Sequence, residues 1–195
     1  MKRLRLLQAE FSRRSNNLRR DKSGVAAIEF AMIVPIMVML FFGTVEFSQA
    51  LTVDRRVAQI ASTMADLVAQ YDTLTYTQVD NIHVVAKSLV MPYPEAPLKV
   101  GIWNLEKTGT ATPVANRGKA YNGFAPNRLG SAYSETVPAG LLDDQPSGVK
   151  VCVVMSEVEY AFTPTIGQWL TNGITLKEKF YLKPRKSPCV DMTVG

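Results

Sequence analysis

Sixteen consecutive residues without a charge, Phe30–Val45 (FAMIVPIMVMLFFGTV), constrain this chain more than any other feature. With their flanks they extend the apolar run over residues 25–51, enough to cross a bilayer, which takes about 20 residues. Pro35 and Gly43 would weaken a soluble helix. Membrane helices tolerate both, because neighbouring groups re-satisfy the backbone. Ahead of the run, Met1–Gly24 carries eight Lys and Arg residues against Glu10 and Asp21. Such an excess holds that end of a span in the cytoplasm. Arg55 and Arg56 mark the return to water, and two charges do not outweigh eight.

The order of the features is unusual for an export signal, which places small residues and a cut site after its apolar stretch. Here the small residue and the charge change come first, in Ser23-Gly24-Val25-Ala26-Ala27-Ile28-Glu29-Phe30, and nothing like A-x-A follows Val45. The expectation is a retained helix, with any removed segment on its N-terminal side. The charge split removes another class of function. The whole chain is +5, but the first 24 residues hold +6, leaving −1 for Val25–Gly195. A nucleic-acid binder carries its charge as a patch on the folded domain, so no nucleic-acid partner is expected.

Gly24 directly before the helix, Glu29 five residues later and Phe30 next resemble the type IV prepilins. Within them the chain is most similar to the TadE-like minor pilins of tight-adherence (Flp) pili. The helix AAIEFAMIVPIMVMLFFGTVEFSQAL adds the proline and the late Gly-x-x-Glu of that family, and VEYAFTPTIGQWLTNGITLKEKFYLKPR is a weaker C-terminal echo. Flp major pilins follow the glutamate with tyrosine and are far shorter, so Phe30 and the length point to a minor subunit. The resemblance implies cleavage after Gly24 by a prepilin peptidase, which makes Val25 the mature N-terminus. It also implies that the Glu29 carboxylate pairs with the N-terminal amine of an adjacent subunit. Gly24, Val25, Glu29 and Phe30 are then the processing residues, with Val25 and Glu29 serving assembly. Partners would be the peptidase, other pilus subunits and the inner membrane.

Beyond the span, Val57, Ile60, Ala61, Met64, Leu67, Val68 and Tyr71 recur at helical spacing and predict an amphipathic continuation of the same helix. Thr77-Gln78-Val79-Asp80 reads as a capping box for a second helix, with Val79, Ile82, Ala86, Leu89 and Val90 as its apolar face. Met91-Pro92-Tyr93-Pro94 ends it. Leu98, Val100 and Ile102 alternate as in a half-buried strand, and residues 106–148 read as loops with one short strand. Val149–Tyr160 suits a central strand. Ile174–Lys183 should pair with it, placing Ile174, Leu176, Phe180 and Leu182 on one face and Thr175, Lys177, Lys179 and Tyr181 on the other. Phe162, Pro164 and Trp169 fall in the connecting loop.

The two cysteines, Cys152 and Cys189, both follow the span. An even count in an exported domain favours a disulfide, the alternative being two unpaired thiols. One histidine and no C-x-x-C pair speak against a metal site, and no cofactor is expected. No GxSxG, HExxH or phosphate-cradling loop occurs, and His83 lacks partners at useful spacing, so no catalytic residue is assigned.

The fold class expected is α+β and type IV pilin-like. A basic leader (1–24) precedes a transmembrane helix (25–51), a periplasmic helical region (52–91) and a small β-rich periplasmic domain (92–195). The expected location is the bacterial inner membrane, single-pass with the N-terminus cytoplasmic, or the cell-surface pilus. Two rival readings remain. One is a pseudopilin of a secretion machine. The other is an uncleaved, membrane-anchored periplasmic binding or adhesion module, separated from the first reading by its mature N-terminus.

Overall fold

A computed structural model describes residues 24–125, 127–165 and 173–193. It is an α+β chain with a long N-terminal helix followed by a small antiparallel sheet. Two compact units are resolved, one ending at Val45 and the other spanning Glu46–Gly195.

Helix α1 covers Val25–Ala69 and contains Pro35. In its first part the side chains are exposed, and Thr44 Oγ1 donates to the Leu40 carbonyl at 2.8 Å, which satisfies the hydroxyl without a partner outside the helix. In the second unit α1 turns amphipathic. Val53, Val57, Ile60, Ala61, Met64, Ala65, Val68 and Ala69 are all buried. The buried stripe starts and stops elsewhere than the sequence suggested. Val53 already belongs to it, whereas Tyr71 lies beyond the helix end and is exposed. The small residues Ala65 and Ala69 complete the buried stripe.

Strand β1 (Thr73–Thr75) leads into α2 (Tyr76–Val90). The helix begins two residues earlier than expected. Thr75 is its N-cap, with Oγ1 accepting from Gln78 N–H at 3.3 Å and the Gln78 side chain accepting from Thr75 N–H at 2.9 Å. Thr75-x-x-Gln78 fits the capping-box rule better than Thr77-x-x-Asp80, because the longer glutamine reaches back to the N-cap amide. Met91 is the C-cap, as the following proline dictates.

The main sheet has the order β3-β2-β4-β5, with β2 Leu98–Thr108, β3 Val114–Tyr121, β4 Lys150–Phe162 and β5 Ile174–Leu182, all antiparallel neighbours. A two-stranded parallel pair joins β1 to β6 (Asp191–Thr193). The central strands β2 and β4 are buried on both faces, which suits the apolar run of β4. β2, expected to be half-buried from its alternation, is instead covered on both sides because Gly101, Trp103 and Leu105 face a second core cluster. On one face Val100 lies opposite Val158 and packs with α1 and α2 in one core cluster. On the other, Trp103 opposite Met155 and Leu105 opposite Val153 form a second cluster with Phe124, Tyr133 and Leu142. Those last three come from residues 122–149, so the Gly- and Pro-rich segment is a cover for the sheet rather than a free loop. Gly118 is needed in β3: its φ is +156° and an added Cβ would fall 2.2 Å from the Ile102 carbonyl oxygen.

Two details depart from the sequence reading. β4 runs on to Phe162, which is buried at the strand end instead of sitting in the connecting loop. β5 is an edge strand, so its supposed core face is only half covered: Leu176 and Leu182 touch the core, while Ile174 and Phe180 are exposed. Its opposite face contributes Tyr181 to the second cluster. Lys177 and Lys179 on that strand are the charges expected to discourage edge-to-edge pairing. Trp169 lies outside the described residues.

Candidate functional site

The candidate site is the start of α1. Ile28 N–H donates to the Gly24 carbonyl at 3.1 Å, so Gly24 sits in the turn that opens the helix. A Cβ added at Gly24 would meet nothing within 4 Å, and its φ is not one that favours glycine. The local backbone therefore gives no reason for a glycine at this position. Val25, Glu29 and Phe30 are all exposed, Phe30 at 69%. Glu29 stands four residues into the helix, about 6 Å along its axis from Val25. No hydrogen bond or ion pair reaches its carboxylate among the described residues. The helix is long and apolar enough to cross a membrane, and none of its most apolar stretch is buried within the chain. Ionisable groups in such stretches are costly and mark function.

Elsewhere the ionisable groups are tied into the fold. Glu157, 2% exposed on β4, accepts from Trp103 Nε1 at 3.0 Å and from Arg128 Nε and Nη2 at 2.5 and 2.7 Å. Lys179 Nζ lies 3.0 Å from the same carboxylate. Arg128 and Lys179 also pair with Glu135. Hydrogen bonding from Lys179 holds the Glu135 carboxyl below its usual range. This network pins residues 122–149 to the sheet, with Tyr133 and Tyr181 sharing a 2.5 Å hydroxyl contact beside it. The sequence gives no sign of it, because its members come from four separate segments.

His83 is 8% exposed and stacks on Tyr121 with ring centroids 4.0 Å apart. Burial and then the nearby Lys87 hold its imidazole below the ordinary value. Its Nδ1 has no hydrogen-bond partner, so no carboxylate orients the ring as a general base requires. A cavity of about 280 Å³ adjoins it, lined by Lys87, Glu95, Leu98 and Asn122 among others, without a hydroxyl or thiol nucleophile. Among the described residues no group of three or more His, Cys, Asp or Glu gathers as metal ligands would.

Cys152 and Cys189 are joined, their Cα atoms 4.9 Å apart. The bond fastens β4 to a C-terminal strap that returns to α1. Arg185 N–H donates to the Ala69 carbonyl at 2.9 Å, capping the helix, and the Arg185 guanidinium pairs with Asp66. Asp191 N–H donates to the Asp72 carbonyl at 2.8 Å, and Asn104 Nδ2 to that of Val190 at 2.7 Å.

No curated protein and no solved structure matches the chain. Residues 24–66, which begin on Gly24 and run through the apolar stretch into the packed half of α1, match the model of the TadE-like protein family.

Proposed function

We propose that this chain is a structural minor pilin of a tight-adherence pilus system, cut after Gly24 by a prepilin peptidase and assembled through its N-terminal helix. One observation carries the reading: the TadE-like match starts at Gly24 on an exposed apolar helix whose only early charge, Glu29, has no partner among the described residues. Cleavage would create an α-amino group at Val25 with a pKa near 7.7–8, mostly cationic at neutral pH. The two charges lie on one helix end in every copy, so neighbouring helices pair amine with carboxylate only at a fixed axial offset. A misplaced subunit would leave a carboxylate unpaired in apolar surroundings, which is strongly unfavourable. The basic leader holds the N-terminus in the cytoplasm, placing the globular unit outside, where the Cys152–Cys189 bond persists.

The test separates processing from assembly. Glu29→Gln removes the charge and keeps the shape. The variant should be cleaved like the wild type, yet co-purify with its partner subunits at least about tenfold less, the equivalent of 1.4 kcal/mol. Normal co-purification would show that the carboxylate does not set the register.

A further inference from the structure

We propose that the turn Met91–Pro94, together with Arg56, is a phospholipid-headgroup contact that seats the globular unit on the bilayer surface. The proposal rests on the membrane-anchor part of the function above. α2 starts soon after α1 ends and returns along it. At its far end Arg56 Nη1 donates to the carbonyls of Leu89 at 3.1 Å and Met91 at 2.6 Å, with the guanidinium 5.8 Å from the Tyr93 ring centroid. The turn that follows α2 is therefore level with Arg56. The apolar run ends at Leu51, and at 1.5 Å per residue Arg56 stands only about 8 Å further along the axis. The headgroup layer on each side of a bilayer is of the order of 5–8 Å thick. Within the globular unit Ala50 already packs against the core and Val53 is fully buried.

The chemistry at this level suits lipid. Met91 is 66% exposed and Val84, on the same groove, 56%. Tyr93 and the Lys87 stem line that groove, and such amphipathic side chains settle at membrane interfaces. Arg55, which is exposed, and half-buried Arg56 have no carboxylate partner among the described residues. Cations beside exposed apolar groups, a few ångströms past a span, complement the phosphates of an anionic leaflet.

The full chain, reconstituted in vesicles of phosphatidylethanolamine and phosphatidylglycerol, carries the test. Met91→Trp, Val84→Trp and Leu129→Trp are compared after subtraction of the wild-type emission from Trp103 and Trp169. Leu129 is 41% exposed in the segment that covers the other face of the sheet. A nitroxide on the lipid headgroup should quench the added emission of Met91→Trp at least threefold more than that of Leu129→Trp, with Val84→Trp between them. Equal quenching of Met91→Trp and Leu129→Trp overturns the contact. Should Met91→Trp misfold, Val84→Trp against Leu129→Trp decides the same question. Wild-type protein that fails to float with the vesicles refutes the anchor itself, a result distinct from loss of the headgroup contact alone.

Discussion

Loss of the Cys152–Cys189 bond should lower the stability of the whole globular unit, not merely free its C-terminal strap. The bond closes a loop with a sequence separation of 37. In the chain-entropy model that removes about 13 cal/mol/K from the unfolded ensemble, or about 4 kcal/mol at 25 °C. In the folded state the strap has other anchors: Val190 and Met192 are buried, β6 pairs with β1, and Arg185 and Asp191 donate to α1 and the residues after it. It should therefore stay docked without the disulfide, and the cost should fall on global unfolding. Cys189→Ala is the gentler variant, because Cys189 is half-buried whereas Cys152 is 1% exposed. Urea unfolding in detergent, followed by the emission of buried Trp103, should show a loss of about 3–4 kcal/mol for Cys189→Ala. Cys152→Ala with Cys189→Ala should add only the smaller cost of truncating the buried Cys152 side chain, since the bond itself is lost once. Hydrogen exchange at the Asp191 amide should accelerate by the same free energy as exchange in β2 and β4. A loss below about 1 kcal/mol, or an Asp191 amide that exchanges freely while the sheet is unchanged, would refute the reasoning.

Glu157→Gln should destabilise the unit by about 2–3 kcal/mol in the same assay, less than the 3–5 kcal/mol of a fully buried pair because Glu135 still accepts from Arg128 and Lys179; an unchanged midpoint would mean that the network does not hold residues 122–149. His83 predicts a pH effect of defined sign. Its folded-state pKa is depressed, so the proton enters the unfolded chain first, and stability falls as pH drops through about 6.5 towards the folded value. His83→Phe keeps a ring against Tyr121 and takes no proton, so its stability relative to the wild type should rise between pH 7.5 and 5.5; a constant difference would contradict the buried, neutral imidazole.

What could be read from the sequence was whatever a single segment encodes. The apolar run, the stripe from Val57 to Val68 and the alternation at Leu98–Ile102 each announce themselves through local periodicity. The turn at Met91-Pro92 does so through proline chemistry. The N-cap lies two residues earlier than the Thr77 reading places it, because Gln78 is the better N3 partner and the backbone at Thr75 is extended, at φ −80° and ψ 153°. Residues 122–149 looked like free loop because Phe124, Tyr133 and Leu142 are widely spaced and follow no period. Arg128, in the same segment, reaches Glu157 across 29 residues, a contact that no local pattern encodes. β5 misled for another reason: its alternation is real, but an edge position leaves Ile174 and Phe180 without a neighbour to cover them. At the candidate site, the proposal for Gly24 and Glu29 rests on sequence pattern, and neither residue has a visible role in the fold. Gly24 fills no tight space and Glu29 meets no partner among the described residues.

The mature N-terminus is the most direct test of the account. Intact-mass and N-terminal peptide analysis of protein purified from its native membrane should find a chain beginning at Val25, while Gly24→Leu should block the cut and leave the full-length mass. Wild-type protein that still begins at Met1 would contradict the prepilin reading and leave an uncleaved membrane anchor in its place.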